Sequence, residues 1–225
     1  MKNHLSIIGC CLVLTACQPP NQNTSTAKPN KPSAIDTAVT TLEQTLIPKP
    51  KDHPNSPPLV KSARQQIGVT TSYDPTYRKL KFPMGDVDKS TGVCTDVVIR
   101  AYRQQGKDLQ ALVNVDMKKA WNAYPKTWGL SKPDNNIDHR RVPNLEVFFK
   151  RHGKTLSLTD KASFKAGDLV TWRLDVNGKK LPHIGIVSDN TTADGTPLII
   201  HNIGRGTEES DILYQYPISG HFRYP

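Results

Sequence analysis

The chain has 225 residues, a net charge of +10 and four cysteines. Three of those cysteines, Cys10, Cys11 and Cys17, fall in one amino-terminal apolar segment, which leaves Cys94 alone in the rest of the chain and excludes a disulfide framework there. The positive charge calls for an acidic partner, and the remaining length suits one domain with a single sizeable core.

Residues 1–17 read as a targeting segment. Lys2 and His4 give a polar start, residues 5–16 an apolar run, and Leu14-Thr15-Ala16-Cys17 a small-residue ending. A run of about twelve residues is too short for a membrane span, which needs roughly twenty. The pattern resembles a bacterial lipoprotein signal, in which Cys17 would become the acylated first residue and hold the chain on a membrane by its lipids. An ordinary secretory signal is the plainer alternative. Gln18 after Cys17 resembles the outer-membrane sorting class, so the expected location is the cell envelope, facing the periplasm. An exported chain does not meet the genome, so nucleic acid is excluded as the acidic partner. Peptidoglycan, whose stem peptides carry free carboxylates, fits best.

Residues 18–58 are rich in Pro, Asn, Thr, Ser and Lys and read as a tether. Within it, residues 34–47 space Ile35, Val39, Leu42 and Leu46 by threes and fours and predict a short helix behind Ser33.

Residues 59–225 form the predicted domain, expected as a monomer. Helices are predicted over 59–67, 93–105, 109–124 and 144–151, the last following Pro143. Strands are predicted over 168–176, 184–187 and 198–203, with further strands at 212–216 and 221–224. Helices followed by a run of antiparallel strands make an α+β pattern.

Cys94 sits in Gly92-Val93-Cys94-Thr95-Asp96, at the first turn of the second helix. A helix start favours thiolate over thiol, the form that attacks, and offers amides to an oxyanion. A thiolate needs an imidazole beside it. His183 opens the apolar run Ile184-Gly185-Ile186-Val187, and Ile199-Ile200 ends in His201-Asn202, one of which would orient the base. Asp96, two residues beyond Cys94, is a candidate to tune the site and suits a helix cap better. Arg140, Arg141 and Arg205 are candidates to pair with substrate carboxylates, with structural ion pairs the duller reading. Trp121, Trp128 and Trp172 suit either a groove or the core. No metal-ligand spacing stands out, Asp86-Val87-Asp88 reading as a turn, and no cofactor is expected.

Gly92-Val93-Cys94-Thr95-Asp96-Val97-Val98-Ile99-Arg100, Ile137-Asp138-His139-Arg140-Arg141, Pro182-His183-Ile184-Gly185-Ile186-Val187 and His201-Asn202-Ile203-Gly204 together resemble the domain of unknown function 1287 family, over residues 73–224. The order of cysteine on a helix, histidine on a strand and a polar residue on the next strand is similar to the NlpC-like branch of the papain fold, which contains cysteine peptidases and amidases acting on peptidoglycan stem peptides. That resemblance implies Cys94 as nucleophile, His183 as general base and His201 as the orienting residue, with Asn202 as the alternative. It also implies that Tyr73 or Tyr77 would place a phenol in the oxyanion hole. NlpC enzymes carry Asp-Cys-Ser-Gly where this chain has Val93-Cys94-Thr95-Asp96. Two other functions remain open: a non-catalytic lipoprotein that binds peptidoglycan or an envelope protein, and an acyltransferase or thioesterase using the same pair.

Overall fold

In the computed structural model, residue 50 and residues 52–225 are described. The targeting segment with Cys17, the helix predicted over 34–47 and most of the tether lie outside them. Residues 52–57 read as tether by composition, yet they lie on the domain: Ser56 is buried and the His53 ring meets Asn190 Oδ1 at 2.7 Å.

Four helices and a six-stranded antiparallel sheet build an α+β domain. The helices are α1 (Pro58–Arg64), α2 (Cys94–Gln104), α3 (Leu109–Lys119) and α4 (Val142–His152). Strands β1 (Ser72–Tyr73) and β2 (Thr91–Gly92) pair in parallel as a separate ladder. The main sheet runs β3 (Lys154–Thr155), β8 (Ile218–Arg223), β4 (Leu169–Val176), β5 (Lys179–Thr191), β6 (Pro197–Asn202), β7 (Thr207–Ser210).

Both faces of the central strands are covered, which is why β5 and β6 read as nearly continuous apolar runs. One face, with Leu169, Ile184, Ile186, Ile200 and Phe222, packs on the helices through Val97, Val98, Leu145 and Phe149. The other face, with Val170, Trp172, Val187 and Ile199, is covered by Phe164, Ile212 and Leu213. The strand predicted over 212–216 is therefore a turn, closed by Gln215 N donating to Ile212 O at 3.1 Å, whose apolar residues plug this second core.

Other boundaries shift for local reasons. The helix predicted through residue 124 stops at Lys119 and gives way to a 3-10 turn at Trp121–Ala123. Pro143 sits inside the first turn of α4, where it has no hydrogen bond to lose. β5 begins four residues before His183, so His183 lies within the strand; residues 179–182 are an exposed hairpin arm and burial starts at His183.

Candidate functional site

The β1–β2 ladder sets the approach to Cys94. Tyr73 pairs with Gly92, whose carbonyl accepts from the Asp74 amide at 3.1 Å. A Cβ at Gly92 would meet Asp96 and Arg100 Nη1 at 3.3 Å, so the end of β2 runs hard against α2. Arg100 fixes the preceding loop by pairing with the Asp86 carboxylate and donating to the carbonyls of Val87, Asp88 and Thr91. Asp86-Val87-Asp88, expected as a turn, is irregular chain held by a guanidinium, and the turn comes just after it, closed by the Thr91 amide donating to Asp88 O at 3.0 Å.

Cys94 is the first residue of α2. Asp96 reaches back to accept from the Val93 amide at 2.7 Å, capping the helix, and Arg140 holds both its oxygens at 2.9 Å. The backbone amides of Ile184, Thr95 and Cys94 itself favour the thiolate. Burial outweighs them: the thiol is only 4% exposed and its pKa is pushed up to about 12, against the thiolate that the helix start predicts. Tyr73 faces the sulfur, and burial and the neighbouring Cys94 push its phenol pKa up.

Cys94 packs in one core with Ile184, the residue immediately after His183. Strand alternation turns the His183 side chain the other way, toward Trp172, with ring centroids 5.8 Å apart. There its Nε2 meets His201 Nδ1 at 3.1 Å, and His201 Nε2 meets Ser210 Oγ at 2.7 Å, with Glu208 Oε1 at 3.9 Å. Among the described residues the His183 ring makes no hydrogen bond to the sulfur, and its Nδ1 is left without a partner. Burial lowers the pKa of His183 to about 3 and of His201 to about 4, so both rings rest neutral.

Gly185 makes this strand contact possible, because a Cβ there would sit 2.4 Å from Ile199 Cγ2 and 3.2 Å from His201 Cβ. Asn202 faces elsewhere: its amide donates to the carbonyls of Ser72 at 3.2 Å and Gly92 at 3.1 Å, tying β6 to the Cys94 turn. Ser210 and Glu208 were not singled out in the sequence, where Thr207-Glu208-Glu209-Ser210 carries no apolar alternation.

An open cleft of about 200 Å³ runs past Cys94, walled by Tyr73, Trp128, Arg140, Arg141 and Pro182. The remaining candidates are dispersed. Tyr77 donates to Asp134 Oδ2 at 3.1 Å, away from the cleft, and Arg205 pairs with Glu208 at 2.8 Å in solvent. Trp172 is core, its indole N–H donating to Leu213 O at 3.0 Å, and Trp121 stacks under Lys126. Among the described residues no cluster of three or more His, Cys, Asp or Glu is arranged for a metal, and no helix is long and apolar enough to cross a membrane.

The fold and this cleft define an α+β domain with one buried thiol, a phenol and a pair of imidazoles gathered about the start of a helix and its neighbouring strand. The chain belongs to the family described as "Domain of unknown function (DUF1287)", whose model matches residues 60–224. It is 57% identical over 163 residues to the uncharacterized protein YijF of Escherichia coli (strain K12), covering 72% of this chain and 78% of YijF. No solved structure matches it.

Proposed function

We propose that the domain is a cysteine-dependent amide hydrolase of NlpC-like papain type, carried on an envelope lipoprotein anchored through Cys17 and cutting an amide bond in peptidoglycan stem peptides. The observation that carries this reading is the placement of Cys94 at a helix start and on an open cleft, packed in one core with Ile184, the residue that follows His183 of the His183–His201 pair. The positive charge of the chain fits an acidic envelope polymer.

The resting pair is neutral thiol and neutral imidazole. Attack therefore runs by general-base catalysis. His183 Nδ1, which has no other partner, takes the thiol proton as sulfur bonds to the substrate carbonyl carbon and the carbonyl electron pair moves to oxygen. The Tyr73 phenol faces that centre and can donate to the oxyanion. Collapse of the adduct breaks the C–N bond, the amine leaving with the proton from His183, and water then cleaves the thioester to free Cys94. Because strand alternation turns His183 toward Trp172 and away from the sulfur, the step requires the ring to swing to Cys94 as substrate binds.

Digestion of purified sacculi by wild type and Cys94→Ala, followed by fragment masses, tests the reading. Wild type should release fragments that gain one water at one amide bond, and Cys94→Ala none. Equal release by both proteins, or none by wild type, overturns it. The depth of the thiol favours a second reading, a non-catalytic peptidoglycan-binding module, for which sacculi would bind the protein and stay intact. Products in which the acyl group has moved to another amine, with no water gained, would mark a transferase.

A further inference from the structure

Of the three arginines that the sequence offers to a substrate carboxylate, one both lines the cleft and keeps most of its donors unused. Arg205 is in solvent against Glu208, away from the Cys94 cleft. Arg140 is in the cleft wall, yet it is buried and committed to Asp96 through Nε and Nη2 and to the Asp74 carbonyl through Nη2, with only Nη1 left over among the described residues. Arg141 also lines the cleft. Its Nη1 donates to Asp138 Oδ1 at 2.9 Å, and its Nε and Nη2 have no partner among the described residues.

The guanidinium of Arg141 is held in place before any ligand arrives. It lies 4.0 Å from the ring centroid of Trp128, itself in the cleft wall, and the side chain is 17% exposed. A stacked, half-paired guanidinium is partly desolvated and loses little rotamer freedom when its free edge is used. Among the described residues lining the cleft none is acidic, while Val142, Pro143 and Pro182 make its floor apolar. An apolar floor with a fixed cation at one side suits a ligand that places a carboxylate next to a nonpolar stem.

We infer that Arg141, stacked on Trp128, is a specificity-determining residue that binds a free carboxylate of the substrate peptide beside the amide presented to Cys94, so that the site selects acidic stem peptides over their amidated forms. The inference rests on the proposed hydrolase reading for its substrate, but not for its test.

The test uses binding to the full chain carrying Cys94→Ala, which cannot turn substrate over. A synthetic stem tripeptide with free carboxylates and the same peptide amidated at each carboxyl are titrated by calorimetry. The acidic peptide should bind at least about tenfold tighter, since a site built to pair with a polar group discriminates strongly against its absence. Adding Arg141→Gln should abolish that preference and leave the weaker affinity for the amidated peptide unchanged, and Arg141→Lys should restore part of it. Without any variant at 141, rising salt should weaken the acidic peptide and spare the amidated one. Equal affinity for the two peptides, binding of neither, or a preference that survives Arg141→Gln overturns the inference. If the preference behaves as expected while wild type leaves sacculi uncut, the hydrolase reading fails and the carboxylate site stands.

Discussion

Two regions of the molecule bury a guanidinium among carboxylates, and they differ in whether anything is left over. At the end of α1, Arg64 donates to Asp52, Ser56, Ser188, Asp189 and Glu209. Glu209, only 1% exposed, also accepts from the Ser188 hydroxyl and the Asn190 amide. Every donor is spent there, and the result is a clamp that fastens the segment at 52–56 to β5 and β7. Around Cys94 the account stays open: Arg141 keeps two nitrogens, Nε and Nη2, unpaired among the described residues, His183 keeps Nδ1 free, and the thiol faces a cleft. A saturated polar cluster holds the fold, whereas a half-used one is available for chemistry.

The largest expected effect breaks the saturated side. Arg64→Ala would leave the buried Glu209 carboxylate and the half-buried Asp189 without their cation, and removing one partner of a buried pair costs about 3–5 kcal/mol. Urea unfolding should show that loss. A change below about 1 kcal/mol would mean that the cluster is solvated in solution and that the contrast between the two regions is false.

Acid separates the two regions by their titration windows. His139, His183 and His201 are held neutral by burial, with pKa values lowered from 6.5 to about 3, 3 and 4. The unfolded chain takes up these protons first, so their stabilisation is complete above pH 6.5 and is lost as pH falls below it. Asp189 is shifted below its usual 3.8 with Arg64 among the causes, so its contribution persists above that value and is lost only at lower pH. The melting temperature should therefore fall between pH 6.5 and 4.5. His183→Gln should flatten that slope, and Arg64→Ala should leave it unchanged. A slope unaltered in His183→Gln would show that its imidazole is not buried neutral.

Gly185→Ala comes next. Its Cβ would press on Ile199 and His201, and overpacking of this kind costs about 1–3 kcal/mol. The strain falls between β5 and β6, so cleavage of sacculi should drop by more than the loss of folded protein explains. Equal losses would mean that the histidine pair tolerates displacement.

What could be read from the sequence was whatever short stretches carry by themselves. Gly92-Val93-Cys94 announces the start of a helix, though the glycine closes a short strand rather than a turn, and the runs ending or opening on His183 and His201 mark strands that are apolar on both faces. Asp96 was legible as a cap because its partner is three residues away, but its ion pair with Arg140 spans 44 residues. The strand at Thr207–Ser210 exists because β6 pairs with it, its own residues showing no period, and so Ser210 could not be found. The thiol's raised pKa is likewise tertiary: the helix start was visible, and the desolvation that defeats it was not.

The smallest effect is the most informative about the open region. For His183 Nδ1 to act as base, its Nε2 must carry the proton and donate to His201 Nδ1, since a neutral imidazole has one donor and one acceptor. His201 must then carry its own proton on Nε2, where Ser210 Oγ at 2.7 Å can accept it and the Glu208 carboxylate at 3.9 Å favours it. Arg205 keeps that carboxylate in place. Ser210→Ala removes the nearest acceptor at a stability cost of about 1 kcal/mol. Nitrogen-15 spectra of the imidazoles should show both rings as single Nε2–H tautomers in wild type and as mixtures in Ser210→Ala. Cleavage should fall with kcat rather than KM, and Ser210→Thr, which keeps the hydroxyl, should recover most of it. Spectra in which His183 already carries its proton on Nδ1 in wild type would remove the base from the proposed mechanism, whatever the variants do.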